Sequence, residues 1–124
     1  MTHDSSDHEV YRKKQLAINL GLLENHFLEF PCHDCMEKHL LLIEGLASEG
    51  VEQTGEEVYS RTKKWAERTL KAINAGTTET ELTELASAAR DLRKQVQVNA
   101  HLTEKEIEIS LQHDTENPVV VSHA

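Results

Sequence analysis

Apolar residues recur at helical spacing along most of the chain. From Tyr11 onward, Leu16, Leu20, Leu23, Phe27 and Phe30 fall three or four positions apart, which aligns them on one side of a helix. Pro31 limits that helix, because the residue before a proline is pushed out of helical geometry. Pro31 itself suits the first turn of a second helix, where an N–H would lack an intrahelical acceptor in any case. In that helix Met36, Leu40, Ile43 and Ala47 form one stripe and Cys35, His39, Leu42 and Leu46 the stripe beside it, a wide buried face that Ser48-Glu49-Gly50 brings to a stop.

Two capping boxes divide the rest. Thr54 with Glu57 opens a third helix carrying Val58, Thr62, Trp65, Thr69 and Ile73 on one face, and Gly76 closes it. Thr78 with Glu81 opens a fourth, in which Leu82, Leu85, Ala89, Leu92 and Val96 follow the seven-residue repeat of a bundle or coiled-coil seam. That seam is long enough to serve the chain's own bundle or a second copy.

Beyond Ala100 the period shortens. Ile107, Ile109 and Leu111 alternate with Glu108, Ser110 and Gln112, as in a half-buried strand, and Val119-Val120-Val121 is β-branched. The pattern therefore predicts an all-α bundle of about four helices over residues 11–103, a flexible acidic tail over 1–10, and an extended or β-hairpin arm over 104–124. The arm is expected to work outside the bundle by pairing with a neighbouring subunit.

Composition agrees with one domain built on aliphatic seams: the 124 residues include only two Phe, two Tyr and one Trp. No apolar run approaches bilayer-spanning length, and MTHDSSDHEV lacks the basic start and apolar centre of a secretory signal, so a cytoplasmic protein is expected. Two cysteines three positions apart fit a reducing compartment. Of the net charge of −9, Asp4, Asp7 and Glu9 contribute −3 and residues 104–124, with five acids against Lys105, contribute −4, leaving the body at only −2. Acidic ends on a nearly neutral body argue against nucleic acid or an anionic membrane as the main ligand.

Candidate chemistry is concentrated between His26 and His39. His26, Cys32, Cys35 and His39 offer two thiolates and two imidazoles, the donor set of a structural zinc site. Cys32, Cys35 and His39 share one helical face, His26 reaches across from the preceding helix, and the helix start favours the thiolate a metal requires. His33, His101 or His113 are alternatives to His26. Two other readings stand beside zinc: free cysteines packed as small hydrophobes with a satisfied core histidine, and a thiol–disulfide pair. Cys32, Cys35, Lys38 and His39 resemble the C-x-x-C-x-x-K-H helix start of small uncharacterised helical proteins, some of them phage-encoded. The resemblance spans one helix and carries no function to transfer; it adds some weight to a viral or accessory-subunit reading.

Other catalytic constellations are missing. None of the eight histidines has a Glu three residues before it, as a carboxylate-bridged di-iron bundle requires, and HExxH, GxSxG and a phosphate-binding glycine loop are all absent. Arg61, Lys64, Arg68 and Lys71 form a basic ridge beside Trp65, either a solvated face or a docking strip for an acidic partner, with the acidic arm of another copy the nearest candidate. The sequence thus predicts a non-catalytic structural or interaction subunit of a larger assembly, knit by one zinc ion and bound to a protein partner or to its own kind. The competing class is a thiol-redox or metal-dependent enzyme using Cys32 and Cys35.

Overall fold

The computed structural model describes residues 2–102 together with Lys105 and Ile107. Four helices follow one another, α1 (Thr2–Leu28), α2 (His33–Thr54), α3 (Glu57–Ala75) and α4 (Glu79–Asn99), and the described residues contain no strand. Hydrogen bonds between helices set their directions. Lys13, midway along α1, reaches Glu56 ahead of α3 and Asn99 at the end of α4, Glu24 further along α1 meets Arg90 earlier in α4, and His33 at the start of α2 meets Asn74 at the end of α3. Successive helices therefore run antiparallel, as their short connections require. α1 packs broadly on α4 and α2, and α2 on α3, whereas α3 and α4 touch lightly.

The predicted seams supply the core. Leu16, Leu20, Leu23 and Phe27 of α1 are buried with Met36, Leu40 and Ile43 of α2, and Val58, Tyr59, Trp65 and Ile73 of α3 join them. The α4 seam is used within the chain: Ala89, Leu92 and Val96 are buried, with Leu82 and Leu85 half-buried against the same cluster. Phe30 and Leu42 are exceptions, Leu42 standing 44% exposed at the edge of the stripe predicted to be buried. α1 ends at Leu28, so Phe30 leaves the helical register and stands 68% exposed.

Several boundaries differ from the pattern. α1 begins at Thr2 rather than Tyr11, so residues 2–10, expected as a tail, are helical. These turns carry no apolar stripe, so no periodicity marks them as helix. α2 starts after Cys32 rather than at Pro31, and it runs through Gly50 to Thr54. Gly50 is a packing residue: a β-carbon there would lie 2.3–2.5 Å from the Tyr59 ring. The true stop is Gly55, whose φ of +70° suits a residue without a side chain and whose N–H bonds the Val51 carbonyl.

With α2 extended, Thr54 does not cap α3. Its hydroxyl donates to the Gly50 carbonyl at 2.8 Å and accepts the Glu56 N–H at 3.1 Å, and Glu56 is the N-cap without a side-chain bond. The second box forms as expected: the Glu81 N–H donates to Thr78 Oγ1 at 3.1 Å and the Thr78 N–H to Glu81 Oε1 at 2.9 Å.

Of the segment expected to be an arm, the described residues are Lys105 and Ile107. Both have helical backbone, and Ile107 is fully buried in the core cluster. The other residues of 104–124, with the period-two run and the valine triplet, lie outside the described residues. No described helix is long and apolar enough to cross a membrane.

Candidate functional site

The cysteine–histidine cluster lies where α1 gives way to α2. Cys32 is the N-cap of α2, extended at φ −76° and ψ 121°, and exposed. Its Sγ accepts the Cys35 N–H at 3.4 Å, so sulfur takes the capping role that serine or aspartate usually has. Cys35 is half-buried in the first turn and also interacts with Cys32 through its thiol. That thiol, followed by the Cys35 N–H and the Asp34 N–H, holds Cys32 below the ordinary thiol range. Cys35 moves the other way, raised by the sulfur beside it and by burial, while the Lys38 charge partly opposes the rise.

His39 is 7% exposed, one turn past Cys35. Burial, then the nearby His26 and Lys38 charges, push its pKa down to about 4, so it is neutral at physiological pH. Its tautomer follows from its partner. Asn19 donates from Nδ2 to the Gln15 carbonyl at 2.9 Å, leaving its Oδ1 to accept from His39 Nδ1 at 3.1 Å. His26 likewise donates from Nδ1 to the Phe30 carbonyl at 3.1 Å. The two rings lie 5.2 Å apart, centre to centre, and neutral His39 keeps a lone pair on Nε2.

The four predicted zinc ligands thus share one corner of the bundle but divide into a thiol pair and an imidazole pair. Among the described residues, no group of three or more His, Cys, Asp or Glu side chains is gathered closely enough to hold a metal ion. His33, an alternative ligand, bonds Asn74 Oδ1 at 3.0 Å.

The ridge on α3 is present, with one residue differently placed. Arg61, Lys64, Arg68 and Lys71 are exposed, whereas Trp65 is buried in the core beneath them at 9% exposure. Trp65 shares its face with Thr62 and Thr69, both buried, which is the inward side of the helix. Arg61 is engaged by Glu57 at 2.6 Å and Gln95 at 2.8 Å. Lys64, Arg68 and Lys71 form no ion pair among the described residues and line a cleft of about 480 Å³ with Glu44, Glu67, Leu70 and Asn74.

A third cluster escaped the sequence reading. Arg12, 4% exposed, donates to Glu49 at 2.9 Å, to Gln53 at 3.0 Å and to Glu9. Lys13, 7% exposed, donates to Glu56 at 3.1 Å, and the fully buried Tyr59 donates its hydroxyl to Glu9 at 2.7 Å. Both cations also sit over the Tyr59 ring, at 5.8 and 5.6 Å from its centre. Burial alone would raise the Glu9 carboxyl, but the Tyr59 and Arg12 hydrogen bonds and the Arg12 and Lys13 charges hold it below the usual carboxylate range. This knot joins residues from all four helices at the end of the bundle opposite the cysteines. Its partners, with Asn99 bound by Lys13, lie 37 to 86 positions apart, apart from the Glu9–Arg12 pair, so no local motif announces it.

Comparison with known protein families, with curated proteins and with solved structures finds no match to this chain.

Proposed function

We propose that this chain is a non-catalytic interaction subunit that docks an acidic protein segment on the exposed face of α3. The observation that carries the reading is the contrast in how its cations are used. Arg12, Lys13, Arg61 and Arg90 have carboxylate partners on the chain itself, whereas among the described residues Lys64, Arg68 and Lys71 form no ion pair and, unlike the other lysines without one, are gathered around a single cleft. Their charges outnumber those of Glu44 and Glu67 in the same cleft, and Arg68 offers the planar fork that binds a carboxylate through two hydrogen bonds. The favoured occupant is the part of the acidic C-terminal segment that follows buried Ile107, residues 108–124 of a second copy, whose three acids face no lysine or arginine. A lock of this kind is electrostatic, so it weakens with salt.

The test is a titration of the full chain against a labelled peptide of residues 108–124, with sedimentation velocity alongside. Saturable binding that weakens as salt rises, and is lost in Lys64→Glu/Arg68→Glu/Lys71→Glu at unchanged helical circular dichroism, is expected. Binding that survives the triple charge reversal moves the interface off α3. A strict monomer at high micromolar concentration that also ignores the peptide removes self-association as the role of the ridge.

A further inference from the structure

The geometry at the start of α2 points to a reversible Cys32–Cys35 disulfide, formed by exchange with a low-molecular-weight disulfide such as oxidised glutathione. This site is separate from the α3 ridge and does not depend on it. Three features carry the inference.

The first is proximity. Residues three apart on a helical turn have Cβ atoms about 5 to 6 Å apart, about 1 to 2 Å more than a disulfide spans, and the extended backbone of the N-cap gives Cys32 freedom to turn inward and close that gap. Its Sγ already lies 3.4 Å from the Cys35 N–H, at the turn the bond must close. The second is an asymmetry of access: Cys32 is exposed to an incoming disulfide, while Cys35 stands half-buried behind it. The third is exclusivity, because the chain has two cysteines and an intramolecular disulfide can form only between them.

The directions of the two thiol pKa values match these roles, an easily ionised outer sulfur and a protonated inner one. The thioredoxin-type arrangement places a strand ahead of such a pair; here the chain arrives from α1 through the turn at Glu29 to Pro31. The exchange requires only the helix start and the two sulfurs.

The steps balance. Cys32 gives its proton to solvent, and its thiolate attacks one sulfur of the disulfide RSSR. A Cys32–SR bond forms, and RS⁻ leaves and is protonated. Cys35 then loses its proton to solvent, with Lys38 stabilising the thiolate, and attacks the Cys32 sulfur to expel the second RS⁻. Two electrons pass from the protein sulfurs to RSSR, which departs as two RSH molecules.

The experiment incubates the full chain, purified without a histidine tag, in glutathione redox buffers. Mass spectrometry, alkylation by iodoacetamide and metal content are read together. The expected result is a monomer that loses two hydrogens on oxidation and regains them with dithiothreitol, at unchanged helical circular dichroism. In the reduced chain Cys32 should alkylate several-fold faster than Cys35. Cys35→Ser should accumulate a stable adduct of one glutathione on Cys32, whereas Cys32→Ser should gain little.

Equal reactivity of the two thiols overturns the assignment, as does a disulfide that forms only between chains or only with loss of helix. Stoichiometric zinc that shields both thiols until a chelator removes it also overturns it, and returns the cysteines to the metal reading.

Discussion

A β-carbon at position 50 would meet three atoms of the Tyr59 ring at 2.3 to 2.5 Å, and the ring has little room to retreat. Tyr59 is fully buried, its hydroxyl is held by Glu9, and its faces carry Arg12 and Lys13. Two effects oppose one another in Gly50→Ala. Alanine in a helix interior is favoured over glycine by about 1 kcal/mol. Overpacking a tight contact costs about 1 to 3 kcal/mol, and the short contact to a ring held on several sides puts this site toward the upper end. Gly50→Ala is therefore expected to lower the stability measured by urea unfolding. In a Tyr59→Ala background the same change should be neutral or stabilising, since only helix propensity remains. An equal cost in both backgrounds would mean that the ring is not what selects glycine.

Among the elements, the chain's own pattern announced the helices better than it announced their ends. Four helices and their inward faces were legible because Leu, Ile, Val and Ala recur at three and four positions. The ends were legible only where a local hydrogen-bond motif decides them. Thr78 and Glu81 form their box because the chain arrives from Gly76 through an extended backbone, leaving the first N–H groups of α4 without other acceptors. Thr54 and Glu57 have the same spacing and fail, because α2 continues until Gly55 adopts left-handed geometry and the Thr54 hydroxyl is drawn to the Gly50 carbonyl. The start of α1 was invisible for the opposite reason: its first turns have no apolar face for a periodicity to detect. Thr78→Ala should accordingly cost about 1 kcal/mol of unfolding free energy, and Thr78→Ser should recover most of it. A neutral Thr78→Ala would show that packing on α1, and not the cap, sets where α4 begins.

At the scale of the whole molecule, the bundle has a charged knot at one end and a neutral, desolvated histidine at the other, and both make the fold acid-labile. The knot could not be read from the sequence because its partners meet only after the helices have paired. The histidine lay in the predicted cluster, but its protonation state depends on burial that no spacing reveals. In the unfolded chain His39 takes up a proton near its ordinary pKa of 6.5, whereas in the folded chain it waits until about pH 4. Between those values the unfolded state binds more protons, so stability falls as pH is lowered through the window, by at most on the order of 3 kcal/mol. Glu9 acts with the same sign at lower pH. Its folded pKa is depressed, so the stability it contributes is fully present above its unfolded value of about 4.5 and is lost as pH falls through the folded one. Melting temperature should therefore decline from neutral pH toward pH 4 and continue to fall below it. His39→Gln, which cannot titrate and retains a hydrogen-bonding amide for Asn19, should flatten the upper part of that decline while leaving the lower part in place. The chain has eight histidines, so the decisive quantity is the difference between the two pH profiles and not either slope alone. Parallel profiles from pH 6.5 to pH 4 would show that His39 titrates alike in the folded and unfolded chains, and that its burial does not exclude the charged form.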